Sequence, residues 1–185
     1  MLVDADFLEY LKHSGLKLHV INSKNISKYA HRLSEPSVCD RAVISQSYEL
    51  LAYSNIADHA VGFFLTNGDF SKISVSAVVD LHPELYETFR LPAKSYVELN
   101  ILCASRQKNP WWTSWFSTKT KSLTPAAHLM QAIMSHFKKL KRHIVLWLPS
   151  HKTNARAIAF YTKFGFVFSG PNERNAMYWR YDTPS

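Results

Sequence analysis

The stretch HIVLWLPSHKTNARAIAFYTKFGFVFS, residues 143–169, changes its hydrophobic period twice. Residues 143–148 form an uninterrupted apolar run, the pattern of a strand inside a sheet. Residues 153–164 read as a helix that stops at Gly165, the residue expected at a left-handed C-terminal stop. Phe166 then enters the next strand as a core residue. Residues 166–169 and 176–182 read as two closing strands. A strand, a helix and a further strand in this order predict a crossover packed on a sheet.

Upstream, Thr124 is a natural N-cap and Pro125 suits the first helical position. The helix that follows places Leu129, Met130, Ile133 and Phe137 on one face. It ends in Lys138, Lys139, Lys141 and Arg142, cations that complement the helix dipole. Residues 95–104 (SYVELNILCA) predict a strand. Residues 59–65 and 73–81 predict two more, and Asn67-Gly68 between them is a hairpin signal. Residues 16–21 alternate as a strand. Residues 4–13 are helical, with Gly15 as stop, and Asn25 caps a short helix over 26–33. Residues 40–53 look helical, and residues 82–94 form a loop punctuated by proline. The reading is one domain spanning residues 1–185, a mixed α/β layer fold with a partly antiparallel sheet.

A chain of 185 residues with 46% hydrophobic and 19% charged residues is neither disordered nor fibrous. No apolar run reaches membrane-spanning length, and the N-terminal stretch does not read as a secretion signal, so cytoplasm or nucleus is expected. Cys39 and Cys103 read as core thiols in a reducing compartment. The nine histidines show no metal-ligand spacing, so no metal is expected. Charge is uneven: residues 1–100 carry 9 Lys/Arg and 12 Asp/Glu, whereas residues 101–185 carry 13 and 2. The basic second half attracts polyanions, whether nucleic acid, an acidic surface or a phosphate-rich cofactor.

The segment Asn154-x-x-Ala157-x-x-Phe160-Tyr161-x-x-x-Gly165-Phe166 resembles the C-terminal signature of the GNAT superfamily of N-acetyltransferases. Glu98 to Ala104 (ELNILCA), followed after a gap by Ala126 to Met130, is similar to the fourth strand and next helix of its histone- and protein-acetylating branch. The resemblance implies a GNAT-like fold: a central twisted, mostly antiparallel sheet of about seven strands with helices on both faces. It implies transfer of an acetyl group from acetyl-CoA, as cosubstrate, to a primary amine by direct attack. The acceptor would be a protein lysine, a protein N-terminus or a small amine. CoA would enter a gap between strands 96–104 and 143–148, with backbone N–H groups near Leu102, Cys103 and Ala104 polarising the thioester carbonyl.

By the same resemblance, Tyr161 protonates the departing CoA thiolate, and Asn154, Ala157 and Phe160 line the cofactor. Read as residues, Phe160 is core packing, Tyr161 is a half-buried aromatic at a groove edge, and Asn154 is a helix cap. Glu98 is the candidate base, because an amine must lose a proton before it attacks and burial raises a carboxyl pKa. Strict alternation puts Glu98 on one face with Asn100, Leu102 and Ala104. Either a bulge corrects that register or Glu98 faces the surface.

In the family a glycine-rich loop binds the CoA pyrophosphate through backbone N–H groups. The matching stretch here is Lys121-Ser122-Leu123-Thr124-Pro125-Ala126, leading into Ala127. The leading cation Lys121 and small Ala126 are kept, but Thr124 replaces the central glycine and Pro125 has no N–H. Lys119 and Lys121 would supply charge instead. Before this loop lies an unusual insertion, Arg106 to Thr120, holding Trp111, Trp112, Trp115 and Phe116. It reads as a lid or as a contact surface for stacked bases. The second functional reading follows: a catalytically degenerate GNAT-like module that binds protein or nucleic acid through this loop and the basic half.

Overall fold

The computed structural model describes residues 5–29, 60–66, 73–81, 96–104, 124–148, 155–171 and 177–182. The described elements run α1 (Ala5–Ser14), β1 (Lys17–Ile21), a 3-10 turn (Ile26–Lys28), β2 (Ala60–Thr66), β3 (Ile73–Asp80) and β4 (Tyr96–Ala104). Then follow α2 (Pro125–Lys139), β5 (His143–Leu148), α3 (Ala155–Lys163), β6 (Val167–Pro171) and β7 (Met177–Tyr181). Seven strands form one sheet in the order β1-β2-β3-β4-β5-β7-β6. All pairs are antiparallel except β4–β5.

Each boundary has a local cause. Thr124 caps α2 by accepting the Ala127 N–H at 3.3 Å, and Pro125 opens the helix. Gly165 (φ +84°) ends α3: its N–H donates to Thr162 O and the Phe166 N–H donates to Tyr161 O. These are the paired bonds of a Schellman stop. The same motif ends α2, with Lys141 N–H to Lys138 O and Arg142 N–H to Phe137 O. There Lys141 holds the left-handed position at φ +54° without being glycine.

The core joins the sheet to α1, α2 and α3. Phe63, Leu65, Val75, Ala77, Val79, Val97, Leu99, Ile144 and Leu146 meet Phe7, Leu129, Met130, Ile133, Phe137 and Tyr161. The β4-α2-β5 and β5-α3-β6 crossovers advance in one direction along the sheet, and the right-handed rule puts both helices on the same face. The opposite face is also covered, since Phe64, Val78, Asp80, Glu98 and Val145 are all buried.

The seven-strand mixed sheet matches the expected fold class. The expected helix over 40–53, the hairpin turn at 67–69, the loop at 82–94 and the Trp-bearing insertion at 106–120 lie outside the described residues. One expectation fails: Cys103 is not a free thiol but disulfide-bonded. Cys39, the chain's other cysteine, lies outside the described residues. Two cysteines exclude a disulfide framework but not a single disulfide. The reducing-compartment reading therefore loses its support.

Candidate active site

β4 has 9 residues and β5 has 6, yet they pair at only three positions: Tyr96–His143, Val97–Ile144 and Glu98–Val145. Beyond Glu98 the two parallel strands part. The closed end of this fork is tied by Arg142, whose Nη2 donates to Leu81 O and Tyr96 O, each at 2.6 Å. One guanidinium thus joins the end of β3, the start of β4 and the approach to β5 with charge-assisted bonds. Along the open end, β4 stays paired with β3 through Leu102–Ala77, Cys103–Ser76 and Ala104–Val75. In an antiparallel ladder alternate backbone groups face away from the partner strand. Part of the 99–104 backbone therefore faces the fork with no strand opposite, which is the geometry expected for polarising a thioester carbonyl.

A bulge sets the side chains around the fork. Val79 pairs with Leu99 and Val78 with Ile101, so Asn100 is the extra residue on β4. This corrects the alternation read from sequence. Glu98 does not share a face with Leu102 and Ala104. Cys103 lies five positions after Glu98, but one of the steps is the bulge, so these two share a face. Leu102 instead turns with Leu99 toward the helical core. Glu98 itself is 3% exposed rather than at the surface, because the sheet face it shares with Asp80 and Val78 is covered.

Its environment is costly. Oε2 of Glu98 has no hydrogen-bond partner. Asp80 lies directly opposite in the β3–β4 register and is itself buried. Desolvation first, and the Asp80 charge second, push the Glu98 carboxyl up to about 8. A carboxyl with that affinity for protons at the apex of a fork is suited to act as a base near neutral pH.

The helices supply the rest of the walls. In both crossovers the helix N-terminus follows the strand end that borders the open fork. At α2, Pro125 has no N–H, Ala127 N–H is taken by the Thr124 side chain, and His128 N–H donates to Thr124 O. That leaves Ala126 as the one first-turn donor without a partner among the described residues. Lys121 lies outside the described residues, as does Asn154, the candidate at the start of α3.

On α3, Ala157 and Phe160 are half-buried and pack against the core. Tyr161 is the more buried of the aromatic pair, reversing the expected order, and is 7% exposed. Its ring packs edge-on against Phe160 and Phe166, with centroids 5.4 and 5.5 Å apart. Tyr161 shares a helix face with Ala157 and Ile158, which points it inward, while Phe160 packs at the half-buried edge of the core. Burial raises the phenol pKa, so the hydroxyl stays protonated at all ordinary pH.

Sequence reasoning missed Asp80 and the clamp role of Arg142. Each depends on strand register, although a carboxylate near the ends of two adjacent apolar strands is a readable sign. Among the described residues no group of His, Cys, Asp and Glu is arranged to hold a metal, and no helix is long and apolar enough to cross a membrane.

The sequence matches no family model and no curated protein. Solved structures do match over nearly the whole chain. An acetyltransferase from Thermus thermophilus aligns at TM-score 0.57 with 13% identity, covering 90% of this chain and 96% of that one. The PaiA N-acetyltransferase of Thermoplasma acidophilum, solved with coenzyme A, aligns at 0.53 with 11% identity, covering 90% and 98%. An aminoglycoside acetyltransferase in complex with coenzyme A and kanamycin aligns at 0.54 with 13% identity, covering 90% and 94%. With one seven-stranded sheet, a β4–β5 fork and matches of this extent, the chain has the fold of the GNAT acetyltransferases.

Proposed function

We propose that the protein is an N-acetyltransferase that moves the acetyl group of acetyl-CoA to a primary amine by direct attack. The observation that carries this reading is the fork itself: parallel strands that part after three pairs, with a buried carboxyl at the apex that leaves one oxygen unpartnered. Acetyl-CoA lies between β4 and β5, with its thioester against the backbone of Leu102, Cys103 and Ala104. Its pyrophosphate meets the α2 N-terminus at Thr124, Ala126 and Ala127, with Lys121 adding charge, and Asn154, Ala157 and Phe160 border the pantetheine arm. Glu98 takes the amine proton, and Tyr161 returns one to the leaving thiolate. The solved neighbours that carry coenzyme A support the choice of cosubstrate. The acceptor is a protein lysine, a protein N-terminus or a small amine.

The test is thiol release from acetyl-CoA in the presence of an amine panel, with the acetylated product identified by mass. Amine-dependent release that falls at least roughly tenfold in Glu98→Gln supports the reading. Release that ignores both the amine and the substitution contradicts it.

One observation favours a second reading. Among the described residues, the first turn of α2 keeps one N–H donor without a partner, where a glycine-rich cradle offers several. If that turn holds no pyrophosphate, the protein is a degenerate GNAT-like module that binds protein or nucleic acid through its basic half and the loop bearing Trp111, Trp112 and Trp115. Binding to single-stranded nucleic acid that weakens steeply with salt, without acetyl-CoA binding, is the result that reading predicts.

A further inference from the structure

β4 carries one polar side chain that neither the sheet nor the transfer reading puts to use. Asn100 interrupts an otherwise apolar run, between Leu99 and Ile101. It is the bulge residue, so no β3 residue stands opposite it, and the last β4–β5 pair, Glu98–Val145, lies two residues before it. Among the described residues of β4, Asn100 alone pairs with neither neighbouring strand. Asparagine is a poor strand former, and a bulge does not demand one.

The side-chain amide is also buried without compensation. Asn100 is half-buried, and its Nδ2 is shielded from solvent with no hydrogen-bond partner among the described residues. A buried N–H donor left unpaired carries a desolvation cost that an apolar side chain of the same size does not. Folding alone therefore gives no reason for asparagine here. A shielded donor without a partner, just past the point where two strands part, points to a ligand atom that completes it. Being an N–H donor, it asks for an acceptor oxygen.

We propose that Asn100 is a further catalytic residue, whose side-chain amide donates to the acetyl carbonyl oxygen as that oxygen takes on negative charge. This rests on the acetyl-transfer reading. Glu98, the base for the amine, lies two residues before Asn100, and Leu102, the first residue against the thioester, lies two residues after it. Amine and thioester meet between these two, alongside Asn100. The amine lone pair forms a C–N bond to the carbonyl carbon, and the carbonyl π pair moves onto oxygen, where Nδ2–H meets it. The amine proton goes to Glu98. When the oxyanion collapses, the C=O bond re-forms, the C–S bond breaks, and the thiolate leaves with its electron pair to be protonated. Amine and acetyl-CoA give amide and CoA thiol. Because Nδ2 meets a charge that develops only during reaction, it lowers the barrier without tightening acetyl-CoA binding.

The experiment compares the wild type with Asn100→Leu, which keeps the size and removes the donor, and Asn100→Asp, which keeps the shape and sets a negative charge against the oxyanion. It measures kcat for the amine that the wild type uses fastest, acetyl-CoA affinity by calorimetry, and melting temperature. The expected result is a kcat lower by about a hundredfold or more in Asn100→Leu and lower still in Asn100→Asp, with acetyl-CoA affinity unchanged in Asn100→Leu. Asn100→Leu melts no lower than the wild type, since no donor is left unpaired. An unchanged kcat overturns the role and leaves the transferase reading intact, as does a kcat loss in Asn100→Leu matched by an equal loss of acetyl-CoA affinity. Failure of Asn100→Leu to fold means that the amide has a structural partner, and overturns the role as well. A wild type without amine-dependent thiol release overturns the transferase reading itself, and the Asn100 role with it.

Discussion

Glu98→Gln makes the protein more stable at alkaline pH while removing the group proposed as its base. The folded Glu98 carboxyl is pushed up from 4.5 to about 8, by desolvation and then by the Asp80 charge. A folded-state pKa above the unfolded one means that the folded protein binds the proton more tightly. Glu98 therefore favours folding below pH 4.5, and that contribution is lost progressively as pH rises from 4.5 to about 8. At about 1.4 kcal/mol per pKa unit, the full swing is on the order of 4–5 kcal/mol. Glutamine keeps the shape, carries no charge and can donate its amide N–H toward the opposed Asp80 carboxylate. The assay is urea unfolding of both proteins at pH 5 and pH 8. The wild type should lose about 3 kcal/mol or more relative to Glu98→Gln between these two values. Parallel pH dependence in the two proteins would refute the buried, proton-binding Glu98.

Lys141→Gly should raise stability by about 0.5–1 kcal/mol, because Lys141 holds φ +54° at the α2 stop; a loss of stability would count against that Schellman geometry. Thr124→Gly frees the Ala127 N–H that the threonine now holds at 3.3 Å. It should tighten acetyl-CoA binding several-fold at a cost of a few tenths of a kcal/mol, measured by calorimetry and unfolding. Tyr161→Phe should cut kcat by about a hundredfold with little change in melting temperature, since the ring stays packed against Phe160 and Phe166. Equal kcat would leave Tyr161 a core residue only. Arg142→Ala should destabilise the fold by about 1–3 kcal/mol, since two part-buried carbonyls, Leu81 O and Tyr96 O, lose a charged donor.

What sequence could reveal followed from local signals. Pro125 after Thr124, Gly165 after the α3 pattern and the apolar run at 143–148 each have a backbone cause within a few residues, and the elements stand where those signals put them. The GNAT likeness was legible through Ala157, Phe160, Tyr161, Gly165 and Phe166 because this crossover and its stop are contiguous. The site was less legible because it is built from register. The Asn100 bulge reassigns faces along β4, and no local pattern announces it. The opposition of Asp80 and Glu98 depends on strands joined by a long connection. Arg142 resembled an ordinary helix-end cation until the ends of β3 and β4 were brought beside it. The inward turn of Tyr161 came from packing against Phe166, the residue just before β6, which helical spacing alone does not fix.

The central claim is that the β4–β5 fork holds acetyl-CoA, and calorimetric titration of the protein with acetyl-CoA at moderate salt, against ADP as control, tests it most directly. The account predicts micromolar binding, much tighter than ADP and weakened by substitutions bordering the fork. No binding, or binding no tighter than ADP, would contradict it and leave the basic half and the Trp111–Phe116 region as the place to seek a partner.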